Sequence, residues 1–187
     1  MKKSDGSSGE EIFPLQLPEH VLEYLITKCR IQIDDALVER YWRHLTRVGD
    51  TLAVSSKQFR EGLEKPVWAL GLYGDEACMG LINAPKNQIL GIYMSIVHFR
   101  PTATRLSRWL LFSIESEKYL SIEATIYPVL EKIVESFNWL TDVGIEGRHC
   151  LVSELRGDQK YFYQVFKHKS WWKDTQLVWI VLFFLTL

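Results

Sequence analysis

The sequence predicts an α/β fold, a mixed sheet joined to a helical N-terminal region. Three observations carry this. Up to about Glu64 the apolar residues recur at helical spacing, whereas from Pro66 they gather in short runs. From Val67 onward those runs read strand, strand, strand, helix, strand, helix. Two of the strands also share an ending: VWALGLYGD closes on Gly74-Asp75, and HCLVSELRGD closes on Gly157-Asp158.

The composition suits a single globular domain. The 187 residues can bury a sizeable core, and 47% of them are hydrophobic. A formal net charge of −1 leaves no overall field to attract nucleic acid or membrane, so such binding must come from local patches. The three cysteines, Cys29, Cys78 and Cys150, lie far apart without Cys-x-x-Cys spacing. This argues against a disulfide framework and a zinc site, and it suits a reducing compartment. The opening MKKSDGSSGEE lacks the apolar stretch of a secretory signal, and residues 1–14 read as a disordered tail.

Residues 15–65 form the helical region. Pro18 opens the first helix, with Val21, Leu22, Leu25 and Ile26 on one stripe. A second helix starts near Asp34, carries Leu37, Val38, Tyr41, Leu45 and Val48 as apolar positions, and stops at Gly49. Its other face, Glu39, Arg40, Arg43, His44 and Arg47, reads as solvated, with a nucleic-acid or partner surface as the alternative. Ser55 with Gln58 fits a capping box for a short third helix.

The core spans residues 66–173. Val67–Tyr73 is apolar on both alternating faces, as in an interior strand, and Gly74-Asp75 reads as the turn that ends it. A loop over Glu76–Asn87 leads to the second strand, Gln88–Phe99, and the run Leu106–Ile114 reads as the third, with a helix as its alternative. A helix then runs from Ser121 to about Val143, and Pro128 requires that it begin or kink there. Cys150–Leu155 is the fourth strand, and a last helix covers Gln159 to about Lys169. Residues 174–187 end in TQLVWIVLFFLTL, shorter than the roughly 20 apolar residues of a membrane span. That stretch reads as a buried strand or as the scar of a truncated end.

Three consecutive strands with short links favour an antiparallel meander, and the helix after them acts as a crossover that returns strand four parallel. With strand four beside strand one, Asp75 and Asp158 would meet at the carboxyl ends. Paired carboxylates are hard ligands for Mg²⁺ or Mn²⁺, which in such sites support phosphoryl transfer.

This order, with one Asp closing the first strand and another closing the fourth, resembles the RNase H-like fold over about Val67–Lys169. Within that fold it is similar to the catalytic core of DDE-type transposases and integrases. The phrases LGLYGDEACMGLINAPKNQILGIYMS, FRPTATRLSRWLLFSIES and HCLVSELRGDQKYF are similar to a high-copy family of uncharacterised algal proteins of mobile-element type. The resemblance implies Asp75 and Asp158 as catalytic metal ligands, Mg²⁺ or Mn²⁺ as cofactor, DNA as partner and a nuclear location. The chain departs from the DDE pattern at the third acid. No Glu follows Glu154, and the only acid after Asp158 is Asp174, which leaves Glu76, Glu115 and Glu154 as other candidates. The alternative is an inactive relic or an interaction module on the same fold. A truncated fragment prone to aggregation is a third possibility.

Arg156, Lys160, Lys167, Lys169 and Lys173 interleave with aromatics including Trp171 and Trp172, a mixture that can track a nucleic-acid backbone and stack on bases. The alternative is an amphipathic helix with its aromatics in the core. Arg100, Arg105 and Arg108 form a second basic cluster, read as a solvated loop. His98 reads as a satisfied buried imidazole. Gly-x-Ser-x-Gly, Gly-x-Gly-x-x-Gly and P-loop patterns are absent, so no nucleotide cofactor is indicated.

Overall fold

The structure, a computed structural model, describes residues 12–78, 88–99, 101, 107–118 and 120–157. In chain order it comprises α1 (Pro18–Thr27), α2 (Asp35–Arg47), α3 (Thr51–Ser55), α4 (Lys57–Glu61), β1 (Trp68–Cys78), β2 (Gln88–Ile96), β3 (Trp109–Glu115), α5 (Tyr127–Asp142) and β4 (Cys150–Gly157). A π-helical turn, Ile122–Ile126, leads into α5. Residues 1–11 of the tail expected over 1–14, the helix after Gln159 and the apolar end lie outside the described residues, while Phe13, within that expected tail, packs on Phe112.

The strands form one mixed sheet in the order β3-β2-β1-β4. β1 pairs antiparallel with β2, and β2 with β3. β4 returns beside β1 and parallel to it. The meander and the parallel return expected from the order of the runs are thus both present.

Local chemistry explains most boundaries. Asp34 caps α2, its Oδ1 accepting from the Ala36 amide at 2.9 Å. Val38 and Trp42 are the buried residues of α2, and its charged face, Glu39 to Arg47, is exposed, as the solvated reading requires. Val48 is 61% exposed and belongs to no stripe, because the helix ends at Arg47 and Gly49 turns away with φ +77. The capping box at Ser55 is not formed. Ser55 closes α3 and its hydroxyl donates back to the Leu52 carbonyl, while Asp50 caps α3 through the Ala53 amide. Pro128 sits in the first turn of α5, where a missing amide proton is tolerated. The π-helical turn before it, capped by Ser121, takes up the irregularity.

The first strand corrects the sequence reading. β1 does not end in a turn at Gly74-Asp75; it continues to Cys78 and pairs with β2 through Cys78 opposite Gln88. The ladder satisfies the backbone there, so Gly74-Asp75 has no turn to close. β4 likewise runs on past Leu155 to Gly157.

One core unites the helical region with the sheet. Leu22 and Leu25 of α1, Val38 and Trp42 of α2, and Ile133, Phe137 and Leu140 of α5 share it with Leu70, Ile92, Met94 and Phe112. Trp42 Nε1 donates to the Val67 carbonyl at 2.7 Å, fixing α2 to the entry of β1. His98 is 5% exposed and its Nε2 accepts from the Ala69 amide at 3.3 Å, with the edge of Tyr41 against its ring. The buried-imidazole reading therefore holds, although His98 lies just past β2 rather than inside it. Ahead of α1, Phe13 packs on Phe112 and the Gln16 amide donates to the Leu111 carbonyl. Among the described residues, no helix is long and apolar enough to cross a membrane.

The cysteines give a direct test of this core. Cys150 is buried and burial pushes its thiol up to about 12, while Cys29 is exposed. A thiol reagent near neutral pH is expected to modify Cys29 and to spare Cys150 until the protein unfolds, read by mass spectrometry of labelled peptides. Because the folded value is raised, the contribution of this thiol to stability is complete below its ordinary value of 9.0. It is lost as pH climbs from there toward 12. Rapid native labelling of Cys150 would mean that β4 opens readily.

Candidate functional site

Strand alternation places Gly71, Tyr73 and Asp75 of β1 on one face, while buried Leu70 and Leu72 take the other. Directly across on β2, Ser95 faces Gly71, Tyr93 faces Tyr73 and Gly91 faces Asp75. The composition of this face is therefore small, aromatic and polar, in contrast to the aliphatic face behind it.

A bulge brings β4 into the same arrangement. Leu70 pairs with Val152, but Gly71 pairs with Glu154, so Ser153 is the extra residue. Without that insertion Glu154 would oppose Leu72 and turn toward the core. With it, Glu154 opposes Gly71, Arg156 opposes Tyr73, and Leu155 joins the core side opposite Leu72. Ser153 itself accepts from the Tyr41 hydroxyl at 3.1 Å, a contact from α2 at the edge of the face.

Two polar clusters result. In the first, the Tyr73 hydroxyl donates to Asp75 Oδ2 at 2.7 Å. The Arg108 guanidinium lies 4.4 Å from the centre of the Tyr73 ring, and the Tyr93 ring centre is 6.1 Å away. The hydrogen bond to Asp75, then burial, hold the Tyr73 phenol above its usual range, with Arg108 pulling the other way. Tyr93 folds over Gly91: a Cβ on that glycine would lie 2.6 Å from Tyr93 Cε2 and 2.7 Å from its hydroxyl. Only glycine leaves room for the ring beside Asp75.

The second cluster surrounds Gly71, where a Cβ would meet Ser95 Oγ at 2.7 Å and Glu154 Oε2 at 3.7 Å. Glu154 Oε2 is shielded from solvent and receives no well-oriented hydrogen bond, yet it is in contact with the Arg156 guanidinium. Proximity and opposite charge define that pair, rather than donor alignment. Nearby, burial raises the Tyr41 hydroxyl above its usual range, offset in part by its hydrogen bond to Ser153.

The candidate residues sort accordingly. Asp75 is on the face, inside a strand. Asp158 lies outside the described residues, but Gly74 pairs with Gly157, and in the sequence each of these glycines is followed directly by one of the two aspartates. Glu76 belongs to the opposite face of β1. Glu154 and Glu115 share the face of Asp75, but strand rise and spacing put Glu115 about 12 Å and Glu154 about 14 Å from it, backbone to backbone. Glu115 is also ion-paired with Lys118 at 3.6 Å. Among the described residues no group of three or more His, Cys, Asp or Glu side chains gathers as a metal site. Arg156 is engaged with Glu154 and Arg108 with Tyr73, whereas Arg100, Arg105, Lys160, Lys167, Lys169, Trp171, Trp172, Lys173 and Asp174 lie outside the described residues. Tyr73, Tyr93, Gly91 and Ser95 are members that the sequence reading passed over. Their signal was present, since every second residue from Gly71 departs from the aliphatic pattern.

Compared with known protein families, with curated proteins and with solved structures, the chain matches none of them.

Proposed function

We propose that this chain is an RNase H-like, metal-dependent phosphoryl-transfer core of the transposase type, acting on nucleic acid through Asp75 and Asp158. The observation that carries the reading is the pairing of Gly74 with Gly157 in parallel neighbouring strands. It sets level the two glycines that each precede an aspartate in the sequence, toward the carboxyl end of the parallel pair, where ligands of parallel strands tend to bind. The bulge at Ser153 agrees with this, because bulges concentrate beside active sites.

Among the described residues this reading has one carboxylate to offer a hard divalent cation, that of Asp75, whose Oδ2 accepts from the Tyr73 hydroxyl. Mg²⁺ or Mn²⁺ held there would supply charge stabilisation for an in-line displacement at phosphorus. The protein's own part is positional: Tyr73 and the rigid β1 ladder hold the Asp75 carboxylate. Arg108 and Arg156 border the face with positive charge suited to phosphate.

A second reading has its own observation. Asp75 is already hydrogen-bonded by Tyr73 and Glu154 already faces Arg156, so both acids have partners without a cation. That is the arrangement of an inactive interaction module. Titration calorimetry separates the two. The first reading expects Mg²⁺ or Mn²⁺ binding that is lost in both Asp75→Asn and Asp158→Asn. A folded wild-type chain that binds neither cation refutes it and leaves the interaction module.

A further inference from the structure

We infer that the cleft beside Trp68 is a binding site for a small organic carboxylate with a branched apolar body, received by the Trp68 indole N–H and the Lys65 ammonium. The cleft stands apart from the Asp75 face. Trp68 and Asp75 are seven positions apart on β1, about 23 Å at strand rise, and alternation turns them to opposite faces. Its ligand is therefore independent of any cation at Asp75.

The walls come from three places in the chain. The loop between α1 and α2 supplies Ile31 and Ile33, the turn between α5 and β4 supplies Ile145, and Lys65 and Trp68 stand at the entry of β1. Together they bound about 640 Å³, the size of a small-ligand pocket. The walls are braced. The Ile31 amide donates to the Leu25 carbonyl at 3.1 Å, the Ile145 amide to the Arg148 carbonyl at 2.9 Å, and Lys65 Nζ to the Glu146 carbonyl at 2.7 Å. The three isoleucines are half-buried at the margin of the core, so an apolar body laid against them removes further surface from water.

Donor balance sets the head group. The Trp68 side chain is 4% exposed, and its indole N–H is shielded from solvent with no acceptor. A buried donor in that condition is costly, and one in the wall of a cleft points to an acceptor brought by a ligand. The Arg148 guanidinium covers the Trp68 ring at 4.7 Å, so the acceptor reaches the N–H with a side-chain adjustment of the kind that binding commonly brings. Arg148 itself is engaged with the Pro66 carbonyl and Asp35. Lys65 uses one of its three ammonium donors on the Glu146 carbonyl and, among the described residues, is ion-paired with no carboxylate. Lys65 contacts Glu146 and Trp68 contacts Arg148, two residues apart in one turn, which sets both donors on the same side of the cleft. Two acids also line it. Asp34 caps α2 through Oδ1, and Glu146 meets Lys65 through its backbone alone. A charged donor beside a neutral one favours a carboxylate over an uncharged acceptor.

Proton–nitrogen correlation spectra of the full chain, titrated with isovalerate or its uncharged isostere isovaleramide, test the assignment. The chain has seven tryptophans, and the Trp68 indole signal is identified by its loss in Trp68→Phe. In the wild type, isovalerate is expected to shift that signal saturably and to bind about tenfold tighter than the amide, the scale of one charge-assisted hydrogen bond. Lys65→Met is expected to erase that preference while leaving the affinity for the amide unchanged, which a merely structural role for Lys65 would not do. Trp68→Phe is expected to weaken both probes. A Trp68 signal that neither probe moves overturns the site. Equal affinity for acid and amide in the wild type overturns the carboxylate assignment, as does a preference for the acid that survives Lys65→Met. Should Trp68→Phe fail to fold, the comparison of wild type with Lys65→Met decides on its own, and an unchanged preference counts against the proposal.

Discussion

Replacing Trp42 with alanine is expected to destabilise the protein by about 3–5 kcal/mol, the range for removing a large buried aromatic. Trp42 does more than fill space. Its indole N–H donates to the Val67 carbonyl at 2.7 Å, its ring is edge-on to Tyr41 at 5.2 Å, and the Arg60 guanidinium covers it at 4.8 Å. It is the point at which the helices before Pro66 become part of the sheet's core. Trp42→Phe keeps most of the volume but strands the Val67 carbonyl, and a loss of about 1–3 kcal/mol is expected from that alone. Urea unfolding followed by circular dichroism measures both. A Trp42→Ala variant with wild-type stability would mean that the helical region stands apart from the core, and that Tyr41 has no fixed seat beside Ser153.

The sheet was legible in the sequence because its evidence is local. Apolar runs of strand length, broken at Arg100-Pro101 and around Gly144, set the number and order of strands, and short links against one long helical link set their directions. The ends of the strands were not legible. Gly74-Asp75 has the composition of a turn, yet the chain stays extended because β2 offers partners as far as Gln88. Propensity states what a dipeptide tolerates, and the ladder decides what it does. Trp42 was missed for a related reason: the stripe through Leu37, Val38, Tyr41, Leu45 and Val48 fits a helical period, but the packed face is centred on Val38 and Trp42.

For the candidate site, the sequence pointed to Asp75 and to the neighbouring strand that ends at Gly157. It did not point to what surrounds Asp75. Reading Val67–Tyr73 as apolar on both faces hid the change at Gly71, beyond which one face of β1 stops being core. The bulge at Ser153 leaves no sequence signature of its own, since SELRG alternates plausibly in either register. Yet that one inserted residue decides whether Glu154 and Arg156 face the site or the core. Contacts of this kind depend on pairing between residues far apart in the chain, and no local pattern encodes them.

The turn that feeds β4 is where a minimal substitution should have a large effect. Gly144→Ala is expected to destabilise by about 2–4 kcal/mol, combining the left-handed penalty of a residue with a Cβ and a backbone clash. Gly144 follows α5 with φ +74, and a Cβ there would lie 2.6 Å from the Arg148 carbonyl oxygen and 2.9 Å from its carbon. Those atoms are held. The Ile145 amide donates to the Arg148 carbonyl at 2.9 Å and the Arg148 amide to the Ile145 carbonyl at 2.8 Å. Arg148 is also anchored to the Pro66 carbonyl and to Asp35 at 3.0 Å. Gly147→Ala is the matched comparison: φ is +72, but nothing lies within 4 Å of the added carbon, so only the conformational penalty of about 1–2 kcal/mol applies. Equal losses in the two variants would mean that the turn adjusts freely. If Gly144→Ala is the costlier, as expected, its consequence extends to the site. The Trp68 amide donates to the His149 carbonyl at 3.0 Å just past this turn, and from there the β1–β4 register runs on to Gly74 and Gly157. A displaced turn loosens that register at its start. Under the proposed cation-binding reading, binding is expected to weaken in Gly144→Ala by more than in Gly147→Ala, even under conditions where both variants remain folded.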